Sequence, residues 1–315
     1  MSLRFTSAGS PVLARRLRIG LVYLFLTALG VTMAFPFFWM VTTAFKDPAM
    51  VFVEPPQWWP RPWKWDNFAR AWEAVPFGRA YLNTVVVTLS VTAGQVLTSS
   101  LAAFAFARLE FPGRDKLFLG YLATMMIPGS VTMIPVFIMT SKLPAILDWL
   151  ISPEAHLFSR NLYLLGEYYV GRPVGLDSYF ALIVPGMFSA YGTFMLRQFF
   201  MSIPKDYEDA ARIDGCSLLG VYWRVILPLS LPALATLGIF TFLGSWRSYL
   251  WPLIVCYRED VMTLPILIRS FQGMYSTEWT LLMAASVLDI LPILLVFIVG
   301  QRYFMKGINL GGIKG

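Results

Sequence analysis

Few side chains in these 315 residues can carry covalent or metal chemistry. One His and two Cys are too few for a zinc site of several Cys and His ligands, a disulfide framework or a Cys/His nucleophile pair. Cys216 falls in a charged connection and Cys256 at the far end of an apolar run, so they read as apart, and neither as reactive or metal-binding. His156, with Glu154 nearby, has no nucleophile arranged beside it and reads as part of a solvated surface pair. The chain has no Gly-x-x-x-x-Gly-Lys-[Ser/Thr] phosphate cradle, which excludes ATP hydrolysis by the usual route. That leaves Arg247 and Asp289, two ionisable side chains inside apolar runs. Each costs roughly 2.5–3.5 kcal/mol on insertion scales and must face protein or water. They either compensate one another across packed helices, or Arg247 lines a pore. Asn83, Gln95, Trp246, Tyr249 and Trp251 can offer polar and stacking contacts to a solute; interhelical bonding and interfacial anchoring are the plain alternative.

The elements that must position these residues are membrane helices. The chain is 57% hydrophobic and 14% charged, against roughly 25% charged in a soluble domain. That balance excludes both a water-soluble globule and a disordered chain. Runs nearly free of charge, long enough to cross about 30 Å of hydrocarbon, span Ile19–Phe45, Ala80–Ala107, Leu117–Ser141 and Ser178–Leu196. Val225–Tyr257, interrupted by Arg247, and Trp279–Gln301, interrupted by Asp289, bring the expected helices to six. The alternating ten-residue segments of a membrane barrel are missing, so the fold class is all-α and polytopic. The first run is too long for a signal-peptide core and lacks a small-residue cleavage site, so it reads as a retained helix. Fourteen of the 25 Lys and Arg flank the termini and the second-to-third and fourth-to-fifth connections, with six acids; the other side holds ten cations and eleven acids. Both termini are therefore expected in the cytoplasm. The net charge of +7 is topological and gives no reason to expect nucleic acid as a partner.

Of the outer connections, residues 46–79 interleave Trp58, Trp59, Trp63, Trp65 and Trp72 with four prolines, suiting an interfacial aromatic belt or a rigid surface for an extracytoplasmic partner. The second, residues 142–177, contains Leu143–Leu150 and Leu157–Val170, either of which could form a short interfacial helix. Pro128 and Pro135, seven apart, share a helical face and imply a kink in the third span. The cytoplasmic connection 202–224 reads as two short helices around a glycine hinge. Ser202 is the expected first N-cap, and Asp206, Glu208 and Asp209 complement the helix N-terminus. Gly215 is the left-handed stop, and Ser217 caps the second helix, which runs to Pro228 and Pro232. Ala210 and Ala211 beside carboxylates suit docking into a cleft, or the connection lies flat on the headgroups.

Asp209-Ala-Ala-Arg-Ile-Asp214-Gly215, followed by Ile226-Leu-Pro228 and Pro232, resembles the EAA signature of permease subunits of binding-protein-dependent ABC importers. Phe242-Leu-Gly-Ser-Trp246, Leu250-Trp-Pro-Leu253, Thr263-Leu-Pro265, Leu196-Arg-Gln-Phe199 and the tail from Gly307 are similar to its carbohydrate, maltose-permease branch. The resemblance implies a type I importer transmembrane domain at residues 19–304, after a cytoplasmic N-terminus (1–18) and before a cytoplasmic tail (305–315). It implies a non-catalytic translocation subunit in a bacterial or archaeal inner membrane, working with a second homologous permease, two ATP-binding subunits and an extracytoplasmic solute-binding protein. ATP and magnesium would belong to the ATPase, with no cofactor on this chain. The loop 205–223 becomes the coupling element, with Asp209, Ala210, Ala211, Asp214 and Gly215 at the ATPase contact and Glu208 beside them as a second candidate carboxylate. Asn83, Trp246, Arg247, Tyr249 and Asp289 become candidates for the path of a sugar or polyol. Relatives often carry Asn-Asp where this chain has Arg247-Ser248, and the 142–177 connection is longer than in the relatives considered. The tail, with Lys314, would give a weaker second ATPase contact. An importer of a phosphorylated polyol such as glycerol phosphate, or an ion-coupled secondary transporter relying on Asp289, are the alternatives.

Overall fold

A computed structural model describes residues 11–151, 154, 156–164, 168–273 and 277–310. Five described helices are long and apolar enough to cross a membrane, and a sixth crossing results if the bent pair Leu218–Leu229 and Leu231–Trp246 is one span. The chain divides into two compact units, Met1–Ala71 with Gln272–Val287, and Trp72–Phe271 with Leu288–Gly315.

In the first unit, α1 (Pro11–Ala44) begins eight residues before the expected apolar run, because nothing between Pro11 and Ile19 breaks a helix. Leu21, Val22, Tyr23, Leu24 and Phe25 are consecutive and all exposed, so the helix is apolar on every face, as lipid requires. The tryptophan-rich connection folds back on the end of α1. Trp58 meets Phe35 and Trp39 edge-on at 5.9 and 5.7 Å, and Trp63, Trp65 and Phe68 surround Phe45. Asn67 ties this loop down by donating to the carbonyls of Ala44 and Lys46. Lys46 is buried, its ammonium 3.9 Å above the Trp39 ring and without a hydrogen-bond partner among the described residues. Burial pushes its pKa below the ordinary lysine value.

The second unit is organised by α3 (Phe77–Arg108), which follows α2 (Asp66–Glu73) and packs along α7 (Ala190–Ser202) and α11 (Leu231–Trp246). Small residues allow the approach: a Cβ on Gly192 would lie 2.6 Å from Ser99 Oγ and 3.2 Å from Leu237. The core between them holds Phe104, Leu196, Phe200, Tyr222 and Ile226, with a 2.7 Å hydrogen bond between Ser100 and Tyr222.

Three expected spans are broken. The third divides into α4 (Arg114–Ala123) and α5 (Gly129–Ile151). Ile127 is extended at φ −85° and ψ 118°, because a residue preceding proline is driven out of the helical region. Pro128 therefore ends a helix, whereas Pro135 lies inside α5. The fourth divides into α6 (Tyr179–Ile183) and α7 around a 3-10 turn at Val184–Met187, with Ser178 and Ser189 capping the two helices. The fifth is not the continuous run 225–257: helical residues Leu218–Leu229 turn by 77° into α11, which stops at Trp246, and α12 (Leu250–Val255) follows separately. Pro228 and Pro232 remove the backbone donors that would hold the chain straight.

In the second outer connection, Leu143–Leu150 is the C-terminal part of α5, not a separate helix. Leu157–Val170 is not helical in its described part: β1 (Leu162–Leu164) pairs antiparallel with β2 (Tyr168–Gly171), a small exception to an otherwise helical chain. Alternating large β-formers favour this ribbon over a helix. Asp148, buried on α5, accepts from the backbone of Phe158 and Ser159. His156 lies 4.0 Å from Asp148, so its acidic neighbour is that residue, not Glu154. The chain ends in α13 (Leu264–Ser270) and α14 (Trp279–Leu310). The last helix continues past Gln301 into the expected tail, of which residues 311–315, Lys314 included, lie outside the described residues.

Candidate functional site

Two places in the second unit have the chemistry of a transport site. The first is a cavity of about 720 Å³ bounded by α3, the start of α5, the α6 turn and the α11–α12 break. Gln95, Thr88, Thr132, Thr241, Ser245 and Ser248 supply uncharged polar groups, and Tyr249 and Trp251 supply aromatic rings. No charged side chain is among its described lining. Trp251 is held by donating to the carbonyl of Ala181. Thr241 and Thr263, both buried, have hydroxyls with no hydrogen-bond partner among the described residues. An unpaired buried hydroxyl is costly, and an uncharged lining in which hydroxyls lie among Val87, Val91, Met133, Val136 and Leu182 suits a neutral solute with both hydroxyls and apolar faces better than an ionic one.

Of the solute-contact residues expected from sequence, Gln95, Tyr249 and Trp251 line this cavity, whereas Asn83, Trp246, Arg247 and Asp289 do not. Asn83 is fully buried, donating to the carbonyls of Asp260 and Met262 at 2.9 Å and accepting from the Tyr179 hydroxyl at 2.6 Å. It staples the N-terminal half of α3 to the connection that follows α12. Trp246 is buried, its indole nitrogen donating to the Asp289 carboxylate at 2.9 Å. Asp289 thus accepts a hydrogen bond from Trp246, and no ion pair between it and Arg247 occurs among the described residues. Arg247 ends α11 with its side chain exposed on this chain.

The second place is the connection 202–224. Here α8 (Asp206–Ile213) is followed by Gly215 at φ 82°, and Ser217 accepts from the Gly220 amide to start α9 (Leu218–Val221). A π-turn at Tyr222–Ile226 and α10 (Leu227–Leu229) complete the helical stretch. Gly215 and Ser217 thus sit as expected. Ser202 does not cap α8: it ends α7 and donates to the Phe199 carbonyl, and Lys205 occupies the cap without a side-chain bond. Pro204 intervenes and delays the helix.

The six positions expected at the ATPase contact separate by face. Asp209, Ala210, Asp214 and Gly215 are exposed and Ala211 half-buried, with Ile213 beside them 86% exposed. Glu208 instead turns inward to the buried guanidinium of Arg108, 3.7 Å away. Sequence reasoning counted Arg108 only as a topological charge and missed Thr241, Thr263 and Ser248. A cation at the exact end of a span was the only available signal for the first, and hydroxyls in apolar helices for the rest.

A family description, binding-protein-dependent transport system inner membrane component, matches residues 95–309. The chain is 33% identical over 251 residues to the arabinooligosaccharides transport system permease protein AraQ of Halalkalibacterium halodurans, covering 79% of each. It is 32% identical to the sn-glycerol-3-phosphate transport system permease protein UgpE of Yersinia pestis, over 87% of this chain and 90% of that one. Its fold is that of a chain from a bacterial ABC transporter involved in import of the acidic polysaccharide alginate, at TM-score 0.73 and 20% identity over 96% of this chain and 100% of the other. With about two thirds of its length inside the matched region and relatives aligned over 79% and 90% of their own lengths, the chain belongs to the family of binding-protein-dependent transport system inner membrane components.

Proposed function

We propose that this permease forms, with a second homologous permease, the path by which a neutral sugar or oligosaccharide crosses the inner membrane, driven by two ATP-binding subunits that carry ATP and magnesium. The uncharged cavity of hydroxyls, Tyr249 and Trp251 is the observation that carries the solute class. Sugars present hydroxyls and an apolar ring face, and such a lining answers both. A phosphorylated polyol would find no cationic side chain among the described lining. An extracytoplasmic binding protein delivers the solute, as the family description implies. Both termini and α8 lie in the cytoplasm, the side favoured by the cationic connections. The exposed face of α8, Asp209, Ala210, Asp214 and Ile213, seats in the ATPase; small side chains there permit close backbone approach.

The test is ATP hydrolysis by the complete complex in lipid, with and without liganded binding protein, comparing the unaltered chain with Gly215→Pro. Proline requires φ near −65°, whereas Gly215 sits at 82°. Liganded binding protein should stimulate the unaltered complex, and the variant should lose that stimulation. Transport by this chain alone, with no ATPase and no effect of Gly215→Pro, would refute the reading.

A further inference from the structure

We propose that Arg108 and Glu208 form the mechanical link between the ATPase-facing helix and the wall of the solute cavity, acting as positioning residues. This rests on the reading of α8 as the ATPase contact. Both side chains are buried, 3% and 7% exposed, in a part of the chain where every other side chain of α8's polar face meets water. Arg108 is the last residue of α3. Its Nη2 donates at 2.7 Å to the carbonyls of Phe200 and Ile203 at the end of α7, where a cation also complements the helix dipole. Its Nε faces Glu208 Oε1 at 3.7 Å. One guanidinium therefore joins the ends of α3 and α7 to α8.

The geometry beyond Arg108 gives this junction a consequence. The same α3 lines the cavity with Thr84, Thr88, Val91 and Gln95, and Gln95 lies thirteen residues from Arg108, about 20 Å along a rigid helix. A displacement of α8 that carries Glu208 with it is thus applied to the cytoplasmic end of the helix that walls the cavity. The covalent route from α8 to α11 is softer, since it passes the Gly215 hinge and a 77° bend. The ion pair is longer than a hydrogen bond, and neither Nε nor Oε1 has another partner among the described residues. A buried pair of this kind contributes little net stability compared with an apolar replacement, so stability does not account for it.

The experiment uses the complete complex in lipid and measures solute imported per ATP hydrolysed for Arg108→Gln, Glu208→Gln and the double variant. A cysteine placed at Ala210 and cross-linked to the ATPase reports whether α8 is still seated. With complex yield and cross-link preserved, each single variant is expected to lower import per ATP at least tenfold, and the double variant to be no worse than either single one within twofold. Single variants within twofold of the unaltered ratio, or fully additive losses, would overturn the link. Should the glutamine variants fail to assemble, Arg108→Lys decides: it keeps the charge but loses the fork, and an unaltered ratio there would sink the proposal, while a clear drop in an assembled complex supports it. Absence of any cross-link in the otherwise unaltered chain would instead overturn the α8 reading itself.

Discussion

Lys46 shows how one residue can be held at a cost. Its ammonium has left water for the face of Trp39, and no hydrogen-bond partner reaches it among the described residues. A cation–π contact returns about 0.5–2 kcal/mol, less than burial of an unpaired charge removes. The folded chain holds this proton less tightly than the unfolded chain, because burial lowers the pKa from 10.5. Stability should therefore rise with pH through the window leading up to that value. Lys46→Met should raise stability by roughly 1 kcal/mol or more and flatten that alkaline rise, both read from thermal unfolding in detergent between neutral and alkaline pH. A lower midpoint for the variant would show that the Trp39 contact outweighs the desolvation.

At the scale of elements, the helices of the second unit are held by close approach where a glycine faces a neighbour, and interrupted where a proline removes a donor. Gly192 is the sharpest case, with Ser99 Oγ and Leu237 already occupying the space of a side chain. Gly192→Val should force α7 from α3 and destabilise the fold by about 1–3 kcal/mol, visible as a lower unfolding midpoint; an unchanged midpoint would mean that the two helices can separate freely. The interruptions at Ile127–Pro128, at Ser230 and at Arg247–Tyr249 break the helices within the expected spans, and irregular backbone within a span is tolerated where it is buried in protein or lines a cavity. Residues flanking two of these breaks, Gly129 and Ser248, do line the cavity.

For the chain as a whole, the proposed orientation, which rests on the cation bias, predicts Ile213 in the cytoplasm and Trp149, 76% exposed at the end of α5, on the other side. Single cysteines at these positions, in a chain with Cys216 and Cys256 replaced by Ser, should react with a membrane-impermeant maleimide from opposite faces: Trp149→Cys in intact cells, Ile213→Cys only after permeabilisation. The reverse pattern would invert the topology and remove the ATPase from reach of α8.

Composition and neighbours along the chain settle the kind of each element: apolar runs of about twenty residues are helices in lipid, the connection 202–224 turns at Gly215 and restarts at Ser217, and the signature around Asp209 marks the family. Which side chains meet across long separations is settled by packing. Glu208 and Arg108 are one hundred residues apart, and nothing local distinguishes an inward carboxylate from Asp209 beside it; the direction follows from where α8 lies against the ends of α3 and α7. Trp246 takes the Asp289 carboxylate, leaving Arg247 without ion-pair contact to it, and Asn83 staples a loop, because hydrogen-bond partners are allotted by packing and not by residue type. The cavity belongs to the same class: its walls come from five segments of the chain, and no one of them shows that its hydroxyls face a common space.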